Sequence, residues 1–170
     1  TEPRRARPAR VHPVVRVPTA APAATFDSDK FSYFMIDLPE LRREFLEKLC
    51  RQQVIAIESI TDDARNFEYQ LKGLAFSWQE NEAHFISVAN AEEAEKIAGE
   101  FKSLLEDEKI IKIGHNLKAT MLALKKSGID LCGPMFDTML AHYLIEPEAS
   151  HALPVLCSQY LNYDMLSDPD

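Results

Sequence analysis

Apolar residues recur along this chain at two periods, and each change of period marks a new element. Phe31-Ser32-Tyr33-Phe34-Met35-Ile36 reads as a short strand. Leu38, Leu41, Phe45 and Leu49 follow at helical spacing. Pro39 is tolerated in that helix's first turn, where its missing N–H has no partner to lose. Val54-Ile55-Ala56-Ile57-Glu58 predicts a buried strand. Leu71 to Trp78 and Ala83 to Val88 predict two more, joined by Gln79-Glu80-Asn81-Glu82 into an antiparallel hairpin. The clearest helix runs from Glu92 to Leu105, where Ala94, Ile97, Ala98, Phe101, Leu104 and Leu105 share one face. Lys109 to Ile113 predicts a strand. Asn116 is placed to cap a helix through Lys126, with Leu117, Met121 and Leu124 in its stripe and Gly128 ending it. A strand-like segment then leads to Phe136, and Asp137 can cap a helix through Leu144 that Pro147 stops. A last helix covers Ala152 to Leu161.

The resulting order is β-α-β-β-β-α-β-α-β-α-α. Neighbouring strands followed by alternation imply an α/β protein, a mixed sheet flanked by helices, with residues 54–58 on a central strand. The 170 residues suit one domain with its own core. Residues 1–25 stand apart. Pro3, Pro8, Pro13, Pro18 and Pro22 alternate with Ala and Arg, which predicts a flexible Arg/Pro-rich linker ahead of a domain over 26–170. No apolar run approaches the ~20 residues of a membrane helix, so no membrane partner is expected. The N-terminal segment lacks the apolar stretch of a secretory signal. Three widely spaced cysteines, Cys50, Cys132 and Cys157, suit reduced thiols in a cytoplasmic protein.

Charge sharpens this picture. The formal net charge is −8, yet residues 1–25 hold Arg4, Arg5, Arg7, Arg10 and Arg16 against Glu2 alone. Taking that segment's charge of about +4 from the total leaves about −12 on the body. An acidic body is a poor general binder of the phosphate backbone. No Gly-rich phosphate loop, Ser-His-Asp arrangement or Cys-His nucleophile pair is present, and no small-molecule substrate is expected.

The most informative stretch is residues 110–145, IIKIGHNLKATMLALKKSGIDLCGPMFDTMLAHYLI. An apolar strand meets Gly114-His115-Asn116, a helix follows, and a second strand reaches Phe136-Asp137-Thr138-Met139-Leu140. With Glu106-Asp107-Glu108-Lys109 before it, this wording resembles the 3′–5′ proofreading exonuclease domain of bacterial DNA polymerase I, of polymerase family A. The resemblance covers about residues 26–165. It implies a ribonuclease-H-like, DnaQ-like exonuclease fold. It also implies DNA as a partner through a covalently linked polymerase domain.

What the resemblance implies about the site does not match the residues present. The family's chemistry uses two divalent metals, Mg2+ or Mn2+, held by carboxylates from three motifs. The first is Asp-x-Glu on the first core strand, where positions i and i+2 share a face. Here Glu58 stands for the Asp and Ile60 for the Glu. The second motif reads N-L-K-Y-D in the family, and here Asn116-Leu117-Lys118-Ala119-Thr120 puts Thr120 in place of the Asp. The third is Tyr-x-x-x-Asp. Tyr160 to Asp164 matches it literally but is discounted, because the family's motif lies tens of residues further on, in a C-terminal portion this chain is expected to lack. Glu58, Ile60 and Thr120 are therefore vestigial positions, with no catalytic residue, metal ligand or cofactor expected.

Other candidates have plainer explanations. Asp62 and Asp63 could shift into a site but fit a solvated turn, and Asp137 fits a helix cap. His115 and Asn116 match positions beside the family's single-strand groove and are the candidate nucleic-acid contacts. His84, His142 and His151 lack metal-ligand spacing and read as structural, while Phe76 and Trp78 read as core. The expected function is a degenerate proofreading domain that supports a polymerase domain. The alternatives are a live exonuclease with relocated carboxylates and a nucleic-acid or protein interaction module.

Overall fold

The computed structural model describes residues 24–25, 31–62 and 70–165. Most of the expected Arg/Pro-rich linker, and Asp63, lie outside them. In chain order the elements are β1 (Ala24–Thr25), β2 (Ser32–Met35), α1 (Pro39–Leu49), β3 (Val54–Thr61), β4 (Leu71–Ser77), β5 (Glu82–Ser87), α2 (Ala91–Leu105), β6 (Ile111–Gly114), α3 (Leu117–Lys126), β7 (Met135–Asp137), α4 (Thr138–Ile145), α5 (Leu153–Leu161) and β8 (Tyr163–Asp164). Between β2 and α5 this is the order the periodicity predicts. The periodicity predicts neither of the two-residue strands β1 and β8. They pair with each other in parallel.

The main sheet has six strands in the order β2-β5-β4-β3-β6-β7, which makes β3 a central strand. β3, β4 and β5 form an antiparallel meander, while β6 and β7 add in parallel to β3. The meander needs only short turns, whereas each parallel addition needs a helical crossover, here α2 and α3. Asn81 adopts φ 63° in the β4–β5 turn, a conformation Asn tolerates better than most residues. β3 runs three residues past the predicted strand and shifts register between Ile60 and Thr61, a local bulge at its end.

One face of the sheet carries the core. Ile55 and Ile57 of β3, Leu74 and Phe76 of β4 and Ile86 of β5 are buried against Phe45 and Leu49 of α1 and Ile97, Phe101 and Leu104 of α2. All six apolar positions predicted for α2 are buried. Two stripes differ from expectation. At α1, the N-cap Leu38 and Leu41 are exposed and Arg42 is buried. In α3, Met121 is exposed, and Thr120 and Ala123 join Leu117 and Leu124 inside. Residues i and i+3 or i+4 share a face, but apolar spacing alone does not say which flank of the stripe turns inward.

Arg42 is buried because it is fully engaged. Its Nε and Nη2 donate to Glu100 of α2 at 2.6 and 3.1 Å, and Nη1 donates to the Asp37 carbonyl at 2.5 Å. The fork ties α1 to α2 and to the loop before α1. Lys112 is the second buried cation. It occupies the middle of β6, wholly buried, and its Nζ donates to the Asp107 carbonyl. Burial pushes its pKa down, with Asp107 and then Cys132 opposing. Gly133 closes the same corner. Its φ is +87°, and a Cβ there would lie 2.9 Å from the Asp107 oxygen, so no other residue fits without strain.

Arg42→Ala removes the fork and leaves Glu100 half-sheltered without a partner. We expect a loss of about 2–3 kcal/mol in urea unfolding, toward the lower end of what breaking a buried pair costs. A loss below about 0.5 kcal/mol, the scale of a surface substitution, would contradict the role assigned to the fork.

Candidate functional site

β3, β6 and β7 run parallel, so their C-terminal ends open on one edge of the sheet, the usual place for a binding crevice in such sheets. Glu58 and Ile60 lie toward that end of β3. Gly114-His115-Asn116 follows β6, and Asp137 ends β7, paired in register with Gly114. Gly114 has to be glycine here, since a Cβ would sit 2.9 Å from the Ile57 carbonyl and against Leu117.

Along β3 the side chains alternate. Ile55, Ile57 and Ser59 are buried, while Ala56, Glu58 and Ile60 take the open face. Glu58 and Ile60 therefore share a face, as the strand period requires of two ligands of one metal. Ile60 has no lone pair to offer. Glu58 keeps access to solvent, but the surrounding protein partly desolvates its carboxyl and pushes the pKa up. A backbone hydrogen bond at Ser59 opposes the shift and the charge of Asp137 adds to it. Glu58 and Asp137 are thus close enough to feel each other.

Thr120 does not join them. It is buried in α3 packing, and its hydroxyl accepts from Ser59 Oγ at 3.1 Å on the inward side of β3.

Asp137 is the best-connected group of the crevice. One oxygen, Oδ1, accepts from the N–H groups of Asn116 at 3.1 Å, Met139 at 2.9 Å and Leu140 at 3.3 Å. Oδ2 accepts from the Leu117 N–H at 2.8 Å. A single carboxylate therefore caps α4 from its own N-cap position and α3 from across the crevice. The α4 cap is as expected from the sequence. The expected side-chain cap by Asn116 is not: Asn116 sits in the left-handed region at φ 59°, ψ 49°, with no side-chain hydrogen bond to the helix. In that conformation its backbone N–H and that of Leu117 turn toward Asp137. The negative charge at two helix N-termini is also favourable to both helix dipoles.

His115 is held between these groups. The Thr138 hydroxyl donates to the Gly114 carbonyl at 3.2 Å. His115 Nδ1 lies 2.9 Å from the same Thr138 Oγ1. Burial lowers the His115 pKa, with Asp137 and then a backbone hydrogen bond at His151 opposing.

The remaining candidates lie elsewhere. Asp62 pairs with Lys72 at 3.2 Å on the exposed end of β3. Tyr160 packs edge-on against His142 at 5.6 Å, and Asp164 is an exposed residue of β8 paired with Thr25. His84 is sandwiched, 4.6 Å from Trp78 and 5.0 Å from Phe34. His142 and His151, unrelated by ligand spacing in the sequence, meet with Nδ1 atoms 2.7 Å apart across the α4–α5 connection. Among the described residues no group of three or more His, Cys, Asp or Glu side chains is arranged to hold a metal ion.

Asp137→Ala leaves four N–H groups without their acceptor and should cost about 2–4 kcal/mol, more than the roughly 1 kcal/mol of an ordinary cap, as read by chemical denaturation. Glu58→Gln should stabilise the protein at pH 7 and lose that advantage toward pH 4. The folded Glu58 pKa lies above its unfolded value, so stability falls as pH rises from the unfolded toward the folded pKa. An advantage of the Glu58→Gln variant that is flat with pH would contradict the desolvation of this carboxyl.

Comparison with known proteins agrees with this architecture. A family model described as 3′–5′ exonuclease matches residues 33–168. DNA polymerase I of Borreliella burgdorferi is 29% identical over 150 residues, covering 86% of this chain and 16% of that protein. The chain thus spans about one sixth of that relative's length. Brucella melitensis NrnC with bound Mg2+ superposes with a TM-score of 0.61 at 22% identity, covering 82% of this chain and 66% of that one. Escherichia coli RNase D, an exoribonuclease involved in structured RNA processing, gives a TM-score of 0.64 at 16% identity, covering 79% and 35%. The shared fold is ribonuclease-H-like. This chain belongs to the 3′–5′ exonuclease family of DNA polymerase I.

Proposed function

We propose that this domain has lost two-metal exonuclease chemistry and supports a polymerase domain in the same polypeptide, reaching DNA in the cytoplasm only through that polymerase. The observation that carries the reading is the donor set of the crevice. Two dications need several carboxylate oxygens converging on them, both to bind and to position water and leaving group. Here Ile60 is apolar, and Thr120 is buried on Ser59. Asp137 spends its oxygens on four backbone N–H groups. Glu58 remains, its carboxyl harder to ionise than usual. Magnesium or manganese, as the family implies, does not fit these residues.

The linked polymerase is supported by the Borreliella relative, a DNA polymerase I of which this chain covers 16%. A support role suits what is present. The core face of the sheet is buried against α1 and α2, and the crevice is held by hydrogen bonds from backbone N–H groups to the Asp137 carboxylate that need no metal.

The test is digestion of 3′-labelled single-stranded DNA by purified protein with millimolar magnesium or manganese. We expect no trimming above that of Glu58→Ala. Trimming that this substitution abolishes would overturn the reading. A second measurement probes the placement of the lost ligands. Glu58→Asp, Ile60→Glu and Thr120→Asp together should lower the melting temperature in chelator, since close carboxylates repel and Thr120 is buried. Manganese should restore part of that loss by binding the native state, whereas the natural chain should barely respond. A gain of several degrees in the natural chain, with none extra in the triple variant, would show that the ligands lie elsewhere.

A further inference from the structure

One residue of the α4–α5 connection, residues 146–152, reaches in two directions. The backbone of His151 hydrogen-bonds to the ring of His115 at the crevice. Its own ring meets His142 of α4, with the two Nδ1 atoms 2.7 Å apart. Within the connection the Glu146 N–H donates to the His142 carbonyl at 2.9 Å, and the Ala149 N–H donates to the Glu146 carbonyl at 3.1 Å. His151 thus joins the crevice to the end of α4.

Two ring nitrogens at that distance share one proton, so one ring donates and the other accepts. Burial distinguishes the two rings. His142 is 4% exposed, and its Nε2 is buried with no hydrogen-bond partner among the described residues. Among backbone groups a buried N–H without an acceptor is rarer than an under-used acceptor. The same preference keeps the His142 proton off Nε2 and on Nδ1. His151 is only partly buried, so water reaches it.

The groups that face the pair come from each neighbouring element. Tyr160 of α5 meets the His142 ring edge-on at 5.6 Å, and Tyr143 of α4 meets the His151 ring at 5.2 Å. Cys157 of α5 lines the same groove as His142. Glu146 and Glu148 are exposed in the connection, and His115 approaches from the β6–α3 turn. Of these residue types only histidine ordinarily changes charge between pH 5 and 8. None of them hydrogen-bonds the His142 Nε2.

We propose that the His142–His151 pair, with His142 as donor, is an acid-released latch on the α4–α5 connection, and that its release withdraws the backbone partner of His115 at the crevice. The vacant position for a proton on His151 is Nδ1, the atom that accepts the bond. Protonation there sets two N–H groups against each other. Either the bond breaks, or His142 moves its proton onto the unpartnered Nε2. Both penalise the closed connection, which therefore holds fewer protons than the open one and is lost as pH falls.

Ring 15N NMR of the full chain near neutral pH should show His142 protonated at Nδ1 and His151 at Nε2. The opposite assignment would overturn the proposal, because acid would then strengthen the bond. Amide exchange is read as protection factors, so that its intrinsic pH dependence cancels. Glu146 and Ala149 should lose roughly threefold or more of their protection between about pH 8 and pH 5, while the α2 amides keep theirs. His151→Gln should lower that protection at both ends of the range and remove its pH dependence, whereas His115→Gln should leave the dependence in place. Protection that is flat with pH in the natural chain, a dependence that survives His151→Gln, or one that His115→Gln abolishes would each overturn the latch. Should His151→Gln also lose the α2 protection, the natural chain decides alone. Protonation of His151 Nδ1 and loss of Glu146 and Ala149 protection should then follow one titration curve, and separate curves would contradict the proposal.

Discussion

The carboxylate of Asp137 holds the functional end of this domain together. Four backbone N–H groups from two helices converge on its two oxygens. Helix N-termini leave donors that must find partners, and here one acceptor serves α3 and α4 at once. That shared acceptor fixes the angle at which β6 passes into α3 and β7 into α4. It also makes sense of the left-handed Asn116, whose backbone conformation is the one that turns two N–H groups toward one anion. His115 and Thr138 are then locked beside it through the Gly114 carbonyl. Remove Asp137 and the crevice has no reason to keep its shape.

The proposed loss of metal ligands has a physical side. Clustered carboxylates are a liability when no cation is bound, because they repel one another and lose hydration. On the proposed reading, Ile60 and Thr120 stand where such carboxylates would repel one another, and so relieve that repulsion. Thr120 gains a hydrogen bond from Ser59 in a site where an unpaired charge would be costly. The remaining cost is visible at Glu58, whose raised pKa records partial desolvation and the nearby Asp137 charge. Stability and chemistry pull in opposite directions at a metal site of clustered carboxylates.

Much of this was legible from periodicity. The six buried positions of α2, the β4–β5 hairpin and the central place of β3 follow from apolar spacing and turn residues. What periodicity missed was polar. Arg42 and Lys112 are buried cations at positions where a charge ordinarily faces water, and their partners, Glu100 fifty-eight positions away and the Asp107 carbonyl, permit burial. Asn116 was a reasonable side-chain cap by local rules, but a residue twenty-one positions away took that role. The pairing of Ala24–Thr25 with Tyr163–Asp164 joins the ends of the described chain, and two residues carry no period to read. At the candidate site, Glu58 and Ile60 do share a face, as strand alternation implies. The burial of Thr120 on Ser59 required the packing of α3 on β3 to be seen.

The central claim is that the crevice lacks the ligands to hold catalytic cations. Manganese titration followed by electron paramagnetic resonance tests it directly, because free and bound ions are counted without any substrate. The natural chain, titrated through the millimolar range, should show only weak binding that Glu58→Gln leaves unchanged. One or two ions bound per chain with micromolar affinity, and released by Glu58→Gln, would contradict it.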